Sequence, residues 1–214
     1  MNLPLKHNSP DLARIVTSFL IVALAMIEMF SVPKGYFVLG SLVATSCMIC
    51  ATFLVIPDCG SSEFRKTSPK TIVLGAVTAI VLYLVFVAGN AFVRSFSPLG
   101  VSISNENSIY LLFASTPILL RIVVFVLDAV GFESYFRGTL QRQFSTRIGV
   151  GSAFVVALLD SAIHISSLNP LFVATTFVAD SIWGLNYYFT KDITSNITSH
   201  LLWDILIFIV FPIS

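Results

Sequence analysis

Charged residues are scarce in this 214-residue chain. Lys, Arg, Asp and Glu make up 11% of the sequence, whereas roughly 25% is usual in soluble domains. The formal net charge of +1 offers no basic surface for nucleic acid. The three cysteines carry little information. Cys47 and Cys50 lie in an apolar run, where we expect buried, inert thiols, and Cys59 lies in a polar segment and is expected to be free.

Apolar residues are correspondingly abundant. They make up 56% of the chain, the mean hydropathy is +0.91, and they fall in blocks near the ~20 residues that cross a bilayer. We predict an all-α, polytopic membrane protein of about seven transmembrane helices, in one integral membrane domain over residues 1–214. The predicted spans are 12–32, 36–56, 71–93, 117–144, 150–167, 171–190 and 193–212.

The cations predict the orientation of these spans. The side that holds residue 1 carries eight: Lys6, Arg14, Arg65, Lys66, Lys70, Arg142, Arg147 and Lys191. The opposite side carries three: Lys34, Arg94 and Arg121. The more cationic side of a membrane protein faces the cytoplasm. We therefore expect a cytoplasmic N-terminus in the plasma (inner) membrane, with the C-terminus outside.

Acidic residues inside apolar runs are the most informative feature. Six of the eleven acids lie within predicted spans: Glu28, Asp128, Glu133, Asp160, Asp180 and Asp204. A carboxylate at mid-membrane costs several kcal/mol unless it is neutralised, paired or hydrated, so such residues are candidates for function. The histidines His164 and His200 also lie in predicted spans. Glu28 has no partner that the sequence identifies, and Asp180 is interpreted as a packing and water-lined feature rather than a catalytic residue.

Three pairs of these residues share one spacing. They are i, i+4 pairs: Glu133/Arg137, Asp160/His164 and His200/Asp204. This spacing places both members on one helix face, one turn apart. At about 1.5 Å per residue, counted from the nearest predicted turn, the acids and histidines lie roughly 13–25 Å along their helices. One polar pocket among the last four spans, near the middle of the membrane, is therefore predicted, although a buried ion pair that only locks helix packing would show the same spacing.

The stretches that carry these pairs resemble a known family. "FESYFRG" (132–138), "LLDSAIHIS" (158–166) and "NITSHLLWD" (196–204) are similar in order and spacing to motifs of the CPBP family of intramembrane glutamic endopeptidases. That family includes CAAX prenyl proteases and bacteriocin-processing or self-immunity proteins. Its pattern is E-E-x-x-x-R, then F-x-x-x-H, then H-x-x-x-N or H-x-x-x-D. The resemblance implies a catalytic core over residues 117–212, with residues 1–116 forming variable N-terminal helices.

The resemblance implies a role for each matching residue. Glu133 matches the second glutamate of the family pair, Arg137 matches its arginine, and His164 matches the histidine that helps to activate water. His200 and Asp204 match the pair that stabilises the oxyanion. Because an ionised carboxylate donates no hydrogen bond, Asp204 would serve by fixing the tautomer of His200.

Two positions depart from the family pattern and leave the base open. Phe132 stands in place of the first glutamate, the general base of the family, and Asp160 stands in place of the phenylalanine. In one account Asp160 replaces the base beside His164. In a second, Glu133 is the base, with Asp128 as a lesser candidate one turn from Phe132. In a third, the site is inactive.

We predict an intramembrane endopeptidase that hydrolyses a peptide bond with base-activated water and without a metal or other cofactor. The expected partners are a membrane-associated peptide or protein substrate and the lipid bilayer, and no nucleic acid. Two alternatives stay open. One is a non-catalytic relative that acts as an immunity or interaction protein. The other is a small metal or proton transporter that uses the same acids and histidines as ligands or relay groups.

Overall fold

The computed structural model describes residues 12–55, 68–95, 106–113 and 116–213. These residues form eight helices, and within these ranges there is no β-strand. The predicted all-α fold is confirmed. In chain order the helices are α1 (Leu12–Ser31), α2 (Phe37–Val55), α3 (Pro69–Ser95), α4 (Glu106–Phe113), α5 (Ile118–Phe132, continued by Glu133–Gln141 and Arg142–Ile148), α6 (Gly151–Ile163, continued by His164–Ser167), α7 (Pro170–Thr190) and α8 (Ile193–Ile205, continued by Leu206–Val210).

Four segments have the length and apolar composition of a membrane-spanning helix. They are Leu12–Ser31, Lys34–Val55, Pro69–Ser95 and Ile193–Val210. The helix α6 is shorter, and α5 and α7 carry charged side chains in their middle turns. The chain therefore has the architecture of an all-α polytopic membrane protein, while the crossing number of seven stays a prediction.

Two short turns set the entry of α7 and α8. Leu168 and Lys191 take positive φ angles of 55° and 52°, which end the preceding helices. The next residue caps the following helix: Asn169 and Asp192 each accept a hydrogen bond from a backbone amide two or three residues on, at 3.1 and 2.8 Å. Such caps satisfy amides that a helix start leaves without partners. Both turns fall where the sequence places a break, at Asn169-Pro170 and at Lys191-Asp192.

Small residues let the helices that carry the polar pairs approach closely. A methyl group on Gly184 of α7 would lie 2.9 Å from Cα of Ala153 in α6, and one on Gly75 of α3 would lie 2.5 Å from the carbonyl oxygen of Ser195 in α8. Contacts of this kind are typical of helix packing in membranes, where backbones meet at small residues. The acids of α6 and α7 are thereby held near each other.

The N-terminal helices cover this bundle from one side. Met26 of α1 and Met48 of α2 pack in one apolar core with Phe136 of α5 and Val156 of α6. The Tyr135 hydroxyl adds a buried hydrogen bond to α1, 3.1 Å from Oγ of Ser18. The first two helices are therefore part of the wall around the polar residues.

The cysteines of α2 are free thiols, as the sequence predicts. Cys47 is half-buried, whereas Cys50 is exposed on the outside of the bundle rather than buried. The expectation that both are buried is wrong for Cys50, because it lines an open groove between α1 and α2. Four residues used in the sequence predictions lie outside the described residues: Lys6, Cys59, Arg65 and Lys66.

Candidate active site

A π-helical segment of α5 carries the first polar pair. The sequence predicts an ordinary α-helical turn here, but residues Glu133–Gln141 form a π-helix. The Thr139 hydroxyl accordingly donates to the carbonyl of Ser134, five residues earlier, at 3.2 Å. All nine residues of the segment are buried. Single π-helical segments inside α-helices occur frequently at functional sites.

Glu133 is fully enclosed by partners. Its Oε1 lies 2.8 Å from Nδ1 of His200, and its Oε2 accepts a 3.0 Å hydrogen bond from Nδ2 of Asn196. The Arg137 Nε lies 3.4 Å from the same Oε2 as an ion pair. Both carboxylate oxygens are thus occupied by protein donors from α5 and α8. Sequence reasoning missed Asn196, although its i, i+4 spacing from His200 was the available signal.

Arg137 has a second and closer acidic partner. Its Nη2 donates to Oδ1 of Asp180 in α7 at 2.5 Å, and both side chains are buried. The sequence interpretation of Asp180 as a packing and water-lined feature did not identify this ion pair with the buried arginine. No local spacing reveals the contact, since the two residues are 43 positions apart.

Asp160 and His164 lie at the end of α6. The His164 Nδ1 is 2.9 Å from the carbonyl oxygen of Asp160 and 3.4 Å from its carboxylate Oδ2. A carbonyl oxygen only accepts, so Nδ1 carries the proton of the neutral ring and Nε2 keeps its lone pair. The rings of Phe30 and Phe172 hold the imidazole between them, with centroids at 5.4 and 5.1 Å.

Exposure separates the two members of this pair. The His164 side chain keeps 9% of its surface exposed, whereas that of Asp160 keeps 0%. Of the two side chains, the imidazole therefore offers the larger surface to a water molecule.

His200 is oriented by Glu133 rather than by Asp204. Its Nδ1 meets Glu133 at 2.8 Å, while its Nε2 is 3.8 Å from Oδ2 of Asp204, which is beyond hydrogen-bond distance. The indole of Trp183 stacks on the imidazole at 4.1 Å, with 17° between the planes. The prediction that Asp204 fixes the tautomer of His200 is wrong. The contact between Nδ1 of His200 and the Glu133 carboxylate fixes which ring nitrogen carries the proton, and Asp204 is beyond hydrogen-bond distance.

Hydrogen bonds and ion pairs join His200, Glu133, Arg137 and Asp180, in that order, across three helices. Asp160 and His164 of α6 form a second contact, and Asp160 lies within electrostatic reach of Asp180. The three i, i+4 pairs of the sequence are thus brought together around one site.

A cavity of about 180 Å³ lies beside these polar residues. The polar residues that line it are Asp128, Asp160, His164, Asp180, His200 and Asp204. Phe132 lines it as well, whereas Glu133 and Arg137 lie behind the wall. The N-terminal helices close one side through apolar side chains such as Met26 and Phe37.

Asp128 lines the cavity, but its carboxyl already accepts hydrogen bonds from hydroxyl groups. It accepts a hydrogen bond from Ser41 at 2.7 Å and another from Thr45 of the same helix. In the part of the chain that the structure describes, no group of three or more His, Cys, Asp and Glu side chains is arranged to hold a metal ion.

The fold and the site define an all-α membrane protein that encloses an acid–histidine cavity between its helices. Within it, residues 114–206 match the family model described as "Type II CAAX prenyl endopeptidase Rce1-like". This segment is therefore Rce1-like, and the predicted family resemblance is confirmed. The match covers less than half of the chain, and the family so described is one of CAAX prenyl endopeptidases. We found no match to a curated protein and none to a solved structure.

Proposed function

We propose that this chain is an intramembrane endopeptidase that hydrolyses a peptide bond of a membrane-associated peptide or protein with base-activated water. The observation that carries the proposal is the Asp160–His164 pair, which lines the cavity and of which only the imidazole keeps exposed surface. Phe132 occupies the cavity wall where the family carries its first glutamate. The acid on the neighbouring helix supplies the missing negative charge.

The His164 ring activates the water. Its Nε2 lone pair accepts a proton as the water oxygen bonds to the peptide carbonyl carbon, and the same proton passes to the leaving nitrogen when the C–N bond breaks. The buried carboxylate of Asp160, 3.4 Å from the ring, stabilises the imidazolium that forms in between. General acid–base catalysis of this kind contributes about 10²–10⁴-fold in rate. No covalent intermediate is required.

His200 stabilises the oxyanion. Because Glu133 accepts from its Nδ1, donation to an oxyanion requires a second proton on Nε2, so the ring acts as an imidazolium between Glu133 and Asp204. Trp183, stacked at 4.1 Å, fixes the plane of that ring. Glu133 and Arg137 build the site instead of taking a proton from water, because both lie behind the cavity wall.

The substrate enters from the membrane. The cavity wall is largely apolar, and it contains side chains of α1 and α2 as well as those of the Rce1-like segment. We place the N-terminus in the cytoplasm and the protein in the plasma (inner) membrane, on the basis of its cation distribution. A prenylated CAAX tail, a leader peptide and a C-terminal sorting segment all have the required chemistry of a membrane-tethered peptide.

Cleavage of quenched fluorescent, membrane-tethered peptides in detergent and in liposomes tests the proposal. Wild type is expected to cleave with and without a chelator, and Asp160→Asn and His164→Ala are expected to lose about 10²–10⁴-fold in rate. Asp128→Asn is the matched control, because this acid lines the same cavity but is held by two hydroxyl groups. Cleavage that survives in His164→Ala would contradict the assignment.

A second function is favoured by Phe132. An apolar ring at the base position, in contact with the His200 ring at 5.2 Å, is compatible with a non-catalytic relative that binds a membrane partner. No cleavage by folded wild type across a broad peptide set would favour this function. Cleavage that appears only in Phe132→Glu would establish it.

A further inference from the structure

Two buried carboxyl groups meet between α6 and α7. Asp160 and Asp180 are 0% and 1% exposed, both line the cavity, and each carboxyl lies within electrostatic reach of the other. A hydrogen bond between two carboxyl groups requires a proton on one of them, since an ionised carboxylate only accepts. Two carboxylates that share a site cannot both be ionised without strong repulsion.

The donors around these carboxyls lead to the same conclusion. Asp180 Oδ1 accepts from Arg137 at 2.5 Å. The other three oxygens, Asp180 Oδ2 and both carboxylate oxygens of Asp160, are buried and accept no hydrogen bond from any donor among the described residues. Buried acceptors of this kind are rare in folded proteins. One proton between the two side chains gives them a donor.

The charges that face the pair fit a single negative charge. Arg137 and Glu133 face it from α5, and His164 faces it from its own helix. Glu133 is already matched by His200, 2.8 Å away. Arg137 is then the positive charge left to balance the Asp160–Asp180 pair. It neutralises the pair if the pair carries one proton and therefore one negative charge.

We infer that Asp160 and Asp180 share one proton and act as a single acid pair of charge −1, which Arg137 anchors. Asp180 is then a positioning residue: through the pair it holds the negative charge directly behind His164. The shared proton stands on the contacts described above, whereas the positioning role rests on the proposed peptidase function.

Infrared spectroscopy of the purified full chain in detergent tests the shared proton. Wild type is expected to show the C=O stretch of a protonated carboxyl, shifted on exchange into D2O. Asp160→Asn and Asp180→Asn should each lose that band, because the remaining carboxylate keeps Arg137 near it and no longer has the second carboxylate to oppose its ionisation. Asp128→Asn should keep it. A wild type without the band, or a band that persists in either single variant, would overturn the shared proton.

Two variants guard against misfolding and a merely structural effect. Asp160→Asn leaves the 2.5 Å contact between Arg137 and Asp180 untouched, so it reports on the band even if Asp180→Asn does not fold. Asp180→Glu retains a carboxyl and is expected to restore the band.

Peptide-cleavage kinetics test the positioning role of Asp180 and the peptidase function separately from the shared proton. In Asp180→Asn we expect kcat to fall at least tenfold with KM unchanged, and Asp180→Glu should recover part of it. Full kcat together with a lost band would overturn the positioning role and leave the peptidase standing. A band that obeys the predicted pattern in a wild type that cleaves nothing would refute the peptidase and leave the shared proton intact.

Discussion

The Glu133→Gln substitution tests whether the carboxylate of Glu133 has a structural or a catalytic role. The side chain is 0% exposed, and its carboxylate has three partners: Arg137 Nε at 3.4 Å, Asn196 Nδ2 at 3.0 Å and His200 Nδ1 at 2.8 Å. Glutamine keeps the shape of glutamate but loses the charge. It also turns one of the two acceptor oxygens into an NH2 group, which then faces a donor.

The magnitude follows from what each partner loses. Breaking a buried ion pair by removing one member costs about 3–5 kcal/mol, but Arg137 keeps Asp180 at 2.5 Å. A hydrogen bond to a charged group contributes about 1.5–3 kcal/mol, and one such bond is lost outright. We expect Glu133→Gln to lower the free energy of unfolding by about 3 kcal/mol.

Equilibrium unfolding in detergent measures this loss, and peptide cleavage is measured on the same samples. Asp204→Asn is the matched control, because Oδ2 of Asp204 is 3.8 Å from its nearest histidine nitrogen. Its loss should be smaller than that of Glu133→Gln, because the substitution breaks no hydrogen bond to a histidine. A Glu133→Gln protein as stable as wild type but inactive would refute the argument and identify Glu133 as the base.

Two predictions concern helix packing and capping. Gly184→Ala should destabilise the fold by about 1–3 kcal/mol, because the new methyl would lie 2.9 Å from Cα of Ala153. Gly89→Ala, where the methyl meets nothing within 4 Å, should leave the unfolding midpoint unchanged or raised, and equal losses in both variants would contradict the packing argument. Asp192→Ala removes the cap of α8 and should cost about 0.5–2 kcal/mol. An unchanged unfolding midpoint in Asp192→Ala would show that the cap contributes nothing.

Much of the local structure could be predicted from the sequence. The turn at Asn169-Pro170 is readable because proline cannot continue a preceding helix and asparagine caps the next one. The Asp160/His164 contact is readable for a similar reason, since four residues bring two side chains to one helix face. The π-helical form of Glu133–Gln141 was not readable, because it depends on the helices that pack around it.

The candidate site itself was only half predictable. Phe132 and Glu133 are neighbours in sequence, yet one lines the cavity and the other lies behind its wall. Which of the two faces the cavity depends on the rotation of α5 against α2 and α8. Sequence reasoning therefore left the choice of base open and assigned the orientation of His200 to the wrong acid.

The sequence by itself determined the fold class, because long apolar runs with few charges must satisfy their backbone groups within helices. It also determined the three local pairs, since helix geometry alone places residues i and i+4 together. Only the tertiary structure decided the partners between helices. Arg137 meets Asp180 across 43 positions, and Glu133 meets His200 across 67. Such contacts depend on how closely two backbones approach, as at Gly184, and no spacing within one helix encodes that distance.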